Sequence, residues 1–137
     1  MGLQLHSMEV SSTEKFESAF NEATKARSGA LAATLDALAN SNQKRIADLA
    51  IENRIPAIYP RGDFVENAGL MSYGADQTEP YKRVASMTDK ILKGTKPADI
   101  PVEQPKKFEF VINLKTAKQI GLTIPPNVLA RADKVIK

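Results

Sequence analysis

Residues 89–118 read DKILKGTKPADIPVEQPKKFEFVINLKTAK, and three changes of composition divide them. The first part continues an apolar stripe of helical spacing and stops at Gly94, a residue type that commonly ends helices. The 95–107 part holds three prolines and few apolar residues, which predicts an extended crossover on the surface. An apolar run over 108–112 then predicts a strand, and Asn113 predicts the N-cap of a short helix.

The residues before this stretch alternate short apolar runs with segments of helical spacing. Strands are predicted over 3–10, 30–35, 55–59 and 70–73. The first strand is predicted from the apolar residues Leu3, Leu5, Met8 and Val10. Between the strands, Ser11 and Glu14 have the spacing of a capping box that opens a helix.

Further helices are predicted after the second, third and fourth strands. The first of them is predicted to have Asn40 or Ser41 as its cap, and a short one is predicted over 64–67. Pro80 is typical of the first turn of a long helix, whose apolar stripe consists of Val84, Met87, Ile91 and Leu92. A last helical turn is expected to begin at Pro125 and Pro126.

Strands that alternate with helices in this way indicate an α/β fold, with a mostly parallel sheet flanked by helices. The length of 137 residues, with 42% apolar and 26% charged residues, fits a single domain with one core. The longest apolar runs are far shorter than the roughly 20 residues of a membrane-spanning helix, so we expect no membrane insertion.

The composition also disfavours several classes of function. The net charge of +3 comes from scattered lysines without interleaved aromatic residues, which disfavours a nucleic-acid partner. Cysteine is absent and His6 is the only histidine, so neither a common zinc site nor a catalytic triad can be assembled. We therefore expect no enzyme, no catalytic residues, no cofactor and no metal site.

Ligands of open parallel sheets bind outside the carboxyl ends of the strands. This rule selects the segments 34–37, 59–63 and 73–76, in which the candidate ligand-binding residues are Asp36, Asp63, Tyr73, Gly74 and Asp76. Helix N-termini near these ends could hold a carboxylate, and an aspartate could hold an ammonium group.

Each candidate also has a purely structural interpretation. Asp36, Asp63 and Asp76 could cap the helices that follow them, and Tyr73 could belong to the core. The tripeptide Arg61-Gly62-Asp63 matches a cell-attachment motif by letter, but a turn explains it equally well.

The series in residues 89–118 closely resembles the C-terminal part of ABC transporter substrate-binding proteins of the tryptophan/tyrosine type. That family has the type I periplasmic-binding fold, in which two α/β lobes surround a hinged cleft. The match begins at about Leu3, so we expect this chain to correspond to the C-terminal half, and the first half of such a protein to be missing.

The resemblance implies a solute-binding component of an ABC importer, with a small amino-acid-like solute and an ABC permease as partners. In the family the acidic residue at Asp36 faces the cleft. Ala37 stands where asparagine is usual, and Gln77 and Thr78 stand where tyrosines are common. The resemblance therefore does not imply an aromatic ligand. It implies a periplasmic or exported protein, although the residues shown include no secretory signal and leave the compartment open.

The resemblance also implies a division of the chain. Residues 1–68 and 95–137 correspond to the C-terminal lobe, and 69–94 to a strand and helix that pack on the N-terminal lobe. The chain crossings between the lobes would be hinges, at Ala68, Gly69, Gly94 and Pro97.

The 70–94 segment would lack its native partner in a monomer of this chain. Exposed apolar surface and unpaired strand edges drive association, so we expect a homodimer through this segment or its collapse onto the remaining lobe. The alternative function is accordingly a shortened, non-transporting interaction module that homodimerises through 70–94.

Overall fold

The structure is a computed structural model of the chain, and it describes residues 2–34, 36–76 and 78–137. Helices and strands alternate along most of the chain. The helices are α1 Phe16–Lys25, α2 Ala37–Ser41, α3 Gln43–Glu52, α4 Gly62–Glu66, α5 Thr78–Leu92, α6 Leu114–Gln119 and α7 Pro126–Leu129. The strands are β1 Leu31–Ala32, β2 Ala57–Tyr59, β3 Met71–Ala75, β4 Phe108–Asn113 and β5 Lys134–Ile136.

These strands form one sheet in the order β1-β2-β3-β4-β5. Neighbouring strands are parallel except for β3 and β4, which are antiparallel. Helices flank the sheet, so the predicted α/β class with a mostly parallel sheet is confirmed. Because β4 is antiparallel to β3, the amino end of β4 lies at the same edge of the sheet as the carboxyl ends of β1 to β3.

Two apolar clusters hold this sheet and its helices together. The larger one contains the inward faces of α1 and α3 together with Tyr59 and Phe64, whose rings stack with centroids 4.8 Å apart. The smaller one consists of Leu70, Ile112, Ala117 and Ile124. Phe64 and Ile112 have no exposed surface, so the short helix α4 and the strand β4 are fixed by burial.

Several local predictions are confirmed. The apolar face of α1 is buried through Phe16, Phe20 and Ala23. Asn113 caps α6, since its side chain accepts a hydrogen bond from the Thr116 N–H at 3.2 Å. Gly94 follows the end of α5 with φ of 98°, a left-handed conformation that glycine adopts without strain.

The predicted strand over 3–10 is wrong. Residues 2–11 form no regular structure, and Leu3 and Leu5 are exposed to 77% and 93%. Met8 and Val10 instead pack against the larger cluster. Alternating apolar residues give a strand only where a neighbouring strand pairs with them, and none does so among the described residues.

Two predicted helix starts also differ from the structure. A 3-10 turn over Thr13–Lys15 precedes α1, and Ser12 stands at its N-cap without a side-chain capping bond, so the predicted capping box is wrong. The helix expected to be capped by Asn40 or Ser41 is α3, which begins at Gln43 with Asn42 at its N-cap. The short helix α2, which Asp36 caps, precedes it and was not predicted. The predicted strand over 30–35 is shorter, and its last position, Leu35, lies outside the described residues.

The 69–94 segment divides into two unlike parts. Its strand, β3, pairs with β2 and β4, as the expected collapse onto the remaining lobe would require. Its helix, α5, contains no buried residue. The assignment of 69–94 to a missing lobe stays a prediction. We call residues 78–107, which comprise α5 and the crossover, the arm. The remaining described residues form the lobe.

Candidate functional site

A cleft of about 230 Å³ lies at the carboxyl ends of β2 and β3. Its walls come from the β2–α4 loop, the end of β3, the start of α5 and the start of β4. The lining residues are Pro60, Arg61, Gly62, Asp63, Glu66, Gly74, Ala75, Asp76, Thr78 and Glu109. The cleft therefore brings together three of the predicted ligand-binding residues, Asp63, Gly74 and Asp76.

Gly74 allows the two walls of the cleft to meet closely. A Cβ atom on Gly74 would lie 2.0 Å from the carbonyl oxygen of Pro60, a distance that no side chain can accommodate. The backbone of β3 can thus approach the β2–α4 loop only because residue 74 is glycine.

Asp63 is held by its own loop. Its carboxylate accepts hydrogen bonds from the Arg61 guanidinium, at 2.6 Å and 3.2 Å, and from the Phe64 N–H at 3.0 Å. The arginine and the aspartate of the Arg61-Gly62-Asp63 tripeptide thus pair with each other, which favours its interpretation as a structural turn. Both side chains remain about one-third exposed, so the pair still faces the cleft.

Asp76 joins the start of the arm to its end. Its carboxylate accepts hydrogen bonds from the Thr78 N–H at 2.8 Å and from the Lys107 ammonium at 2.6 Å. The Asp76 N–H also donates to the Lys107 carbonyl oxygen at 3.0 Å. The hydrogen bond from Lys107 lowers the pKa of Asp76 well below its usual range, and the same bond raises the pKa of Lys107.

The other two predicted ligand-binding residues lie outside the cleft lining. Asp36 acts as the N-cap of α2, where its carboxylate accepts a hydrogen bond from the Ala39 N–H at 2.7 Å. Tyr73 points to the opposite face of β3 from Gly74, since successive side chains of a strand alternate. Its half-exposed ring stacks on Phe108 and meets Phe110 edge-on.

The predicted hinge residues have distinct environments. Ala68 has a positive φ of 73°, and its carbonyl oxygen accepts a hydrogen bond from the Thr116 hydroxyl at 2.9 Å. Gly69 is packed tightly, because a Cβ there would lie 2.7 Å from the Phe64 carbonyl oxygen. Gly94 and Pro97 lie in the exposed arm, and no atom of the described part of the chain would lie within 4 Å of a Cβ on Gly94. Their role as hinges stays a prediction.

Sequence reasoning missed Glu109 and Lys107. Both lie near the start of β4, which reaches the cleft only because β4 runs antiparallel to β3. The apolar run over 108–112 predicted the strand but carried no signal for its direction. Arg61 lies within the segment 59–63 that the strand-end rule selects, but it was not among the predicted ligand-binding residues.

A second cavity, of about 220 Å³, lies between α5 and the returning crossover. Arg83 pairs there with Glu103 across the two chain segments, and with Glu79 one helical turn away at 3.8 Å. Over residues 2–34, 36–76 and 78–137, no group of three or more His, Cys, Asp or Glu side chains could hold a metal ion. Within the same ranges, no helix has both the length and the apolar character that a membrane span requires.

The comparisons with known proteins agree with this geometry. A family model described as ABC transporter substrate binding protein matches residues 1–136. This chain belongs to that family. At the family level the function is binding, not catalysis, and the usual location is periplasmic or exported. No curated protein matches the chain.

Three solved structures share the fold of this family member. A conserved domain protein from Vibrio cholerae has a TM-score of 0.88 at 27% identity, over 98% of this chain and 45% of its own. The ABC domain from Streptococcus pneumonia, solved in complex with L-Trp, has a TM-score of 0.85 at 30% identity, over 98% of this chain and 46% of its own. A substrate-binding protein with adhesive properties from Clostridium difficile, in its ligand-free, open structure, has a TM-score of 0.70 at 21% identity, over 99% of this chain and 45% of its own.

This chain thus spans a little under half the length of the structures that it matches. The similar structures are periplasmic-binding-protein folds, which agrees with an α/β lobe.

Proposed function

We propose that this chain is the solute-binding component of an ABC importer, or one lobe of that component, and that it binds a small amino-acid-like solute without covalent chemistry. Membership of the family supports a solute-binding role. The structural neighbour from Streptococcus pneumonia was solved with L-Trp, which supports an amino-acid-like solute.

The observation that carries the proposal is the cleft at the carboxyl ends of β2 and β3. Its position is the one where open α/β sheets bind ligands. Three residues selected by that rule line it, and the charged groups of Arg61 and Asp63 are held in place by their mutual hydrogen bonds. The cleft offers both signs of charge, as a zwitterionic solute requires.

The proposed mechanism is closure of two lobes around the solute, followed by recognition of the closed form by a membrane permease. The cleft of this chain would be one wall of the binding site. The other wall would come from a second α/β half, with Ala68, Gly69, Gly94 and Pro97 as hinge positions between them. Asp36 and Tyr73 would contribute only after such closure, since neither lines the cleft of the lobe alone.

The test is a thermal-shift screen of the purified chain against free amino acids and small organic acids. A bound solute raises the melting temperature increasingly with its concentration. We expect such a shift in the wild type, and its loss in Asp63→Asn, which removes the partner of Arg61. Asp99→Asn is the matched control, because Asp99 is exposed in the crossover away from the cleft. A screen without any concentration-dependent shift would refute the proposal for this chain.

A second candidate function is favoured by the exposure of the α5 stripe. Val84, Ile91 and Leu92 are exposed to 60%, 43% and 82%, and apolar surface of this kind commonly marks an interface. The chain would then be a non-transporting interaction module that homodimerises through α5. Light scattering distinguishes the two functions, since the module is a stable dimer that Ile91→Ser dissociates and that no solute stabilises.

A further inference from the structure

The charges around the cleft do not cancel. Asp63 pairs with Arg61, Asp76 with Lys107, and Glu66 with Lys134 at 3.1 Å. Glu109 is the remaining acidic residue of the lining, and within residues 2–34, 36–76 and 78–137 its carboxylate has no hydrogen bond or ion pair. The hydrogen bond to Asp76 is the main cause that raises the pKa of Lys107, and the charge of Glu109 is a smaller one. The Lys107 ammonium donates to Asp76. One carboxylate therefore faces the cleft without a cation bound to it.

The position of this carboxylate is fixed by the sheet. Glu109 stands opposite Gly74 in the antiparallel register of β3 and β4. Its Oε2 atom lies 3.7 Å from the place that a Cβ on Gly62 would occupy. Gly62 and Gly74 both line the cleft and neither has a side chain, so neither can cover the carboxylate.

A buried hydroxyl lies beside the same point. Ser72 is 1% exposed, and its Oγ atom has no hydrogen-bond partner among the described residues. This atom is 3.9 Å from the Cβ position of Gly62, and Ser72 shares the Gly74 face of β3. Buried hydroxyl groups normally have a partner, so the corner formed by Gly62, Ser72 and Glu109 has an unused polar group as well as an unpaired charge.

We propose that Glu109 determines the specificity of the cleft and selects a compact solute that carries a protonated amine, with the Ser72 hydroxyl as a neighbouring polar contact. The inference rests on the proposed solute-binding function. An ammonium group supplies the positive charge that Glu109 lacks, together with hydrogen-bond donors for nearby oxygens. Among the described residues that line the cleft there is no aromatic side chain, so this part of the wall offers no ring on which an aromatic solute would stack.

The test is an NMR titration of the chain with three probes, followed through its backbone amide signals. Glycinamide carries the ammonium group, N-acetylglycinamide has a similar skeleton without the charge, and acetate carries the opposite charge. We expect glycinamide to shift the amide signals of Gly62 and Gly74. We expect Glu109→Gln to weaken the binding of glycinamide about fivefold, which corresponds to the loss of one partly exposed ion pair. Glu52→Gln, on the exposed end of α3, is the matched control and leaves the affinity unchanged.

Three results would overturn the inference: equal affinity of glycinamide for the wild type and Glu109→Gln, equal binding of N-acetylglycinamide, or a preference for acetate. The thermal-shift screen separates this failure from that of the proposed function. Suppose that an amino acid stabilises the wild type but not Asp63→Asn, while glycinamide binds the wild type and Glu109→Gln with equal affinity. In that case only the specificity assignment fails. If neither the screen nor any probe shows binding in the cleft, both fail.

Discussion

Helices α1 and α5 have apolar stripes of the same helical spacing but opposite surroundings. The stripe of α1 is buried against the lobe through Phe16, Phe20 and Ala23, whereas α5 has no buried residue over its 15 residues. Periodicity predicts which face of a helix is apolar, but it does not show whether the chain itself supplies the surface that covers this face. The lobe is therefore specified by burial, and the arm by local interactions.

The local interactions of the arm are ion pairs along α5 and a contact between its two ends. The pairs Glu79–Arg83 and Asp89–Lys93 are one helical turn apart, at 3.8 Å and 2.8 Å. Such pairs contribute only about 0.3–0.5 kcal/mol each, and an isolated helix shorter than about 12–15 residues is marginal in water. Asp76 and Lys107 fasten the two ends of the arm to each other at the edge of the sheet.

The largest expected effect separates the lobe from the arm directly. Phe64→Ala removes a ring with no exposed surface, and we expect it to lower the free energy of unfolding by about 3–5 kcal/mol. Leu92→Ala removes a side chain that is 82% exposed in the arm, and should change the free energy of unfolding by less than about 0.5 kcal/mol. Urea unfolding followed by circular dichroism measures both. A large loss in Leu92→Ala would show that the arm is packed.

The next effect concerns the close approach at the cleft. Gly74→Ala places a Cβ against the Pro60 carbonyl oxygen, and we expect a loss of about 1–3 kcal/mol as the loop is displaced. Gly29→Ala is the matched control, since no atom of the described residues lies within 4 Å of its Cβ position. It should be neutral or stabilising by less than about 1 kcal/mol. Equal stability of the two variants would contradict the contact between β3 and the β2–α4 loop.

The third prediction tests what Asp36 does in the lobe. Its carboxylate caps α2, so Asp36→Ala should cost about 1 kcal/mol in the free energy of unfolding, and Asp36→Asn much less because asparagine also caps helices. Thermal unfolding without solute provides the measurement. If Asp36→Ala leaves stability unchanged, the capping role is wrong, and the result favours a role of Asp36 in ligand binding.

The smallest effect is the pH dependence of the contact between Asp76 and Lys107. The pKa of Asp76 is lowered in the folded chain, so its contribution to stability is present above the usual carboxyl pKa of about 3.9 and is lost as the pH falls below that value. The pKa of Lys107 is raised, so its contribution is present below about 10.4 and is lost at higher pH. Because the Lys107 side chain is exposed and water screens the pair, we expect small shifts in acid and alkaline unfolding midpoints.

Asp76→Asn should remove the acid part of this dependence and leave the lobe folded. Stability of the wild type and the variant is compared by urea unfolding between neutral pH and pH values below the usual carboxyl range. A stability difference between them that grows as the pH falls would have the wrong sign for the proposed contact.

Local signals were sufficient for much of the fold. The cap at Asn113, the stripe of α1 and the glycine after α5 depend on residues close in the chain, and each was predicted. The strand over 3–10 was predicted wrongly, because alternation does not show whether a neighbouring strand is present. Strand β5, Lys134–Ile136, was not predicted at all, since its three residues carry too short a pattern.

The site was predictable where it depends on parallel strands. Asp63, Gly74 and Asp76 follow directly from the rule about strand ends, and all three line the cleft. Glu109 was not predictable, because its place in the cleft depends on the antiparallel direction of β4 and on its register with Gly74. Direction and register are set by pairing between residues far apart in the chain, which one sequence does not reveal.

Hydrogen exchange of the chain, resolved by residue and measured at low micromolar concentration, tests the difference between lobe and arm most directly. Amides of packed strands open only with much of the fold, whereas those of an exposed helix open locally. We predict strong protection in β3 and β4 and only weak protection throughout α5. Protection of α5 equal to that of β3 would contradict the account, because it would show that the apolar face of α5 is already covered.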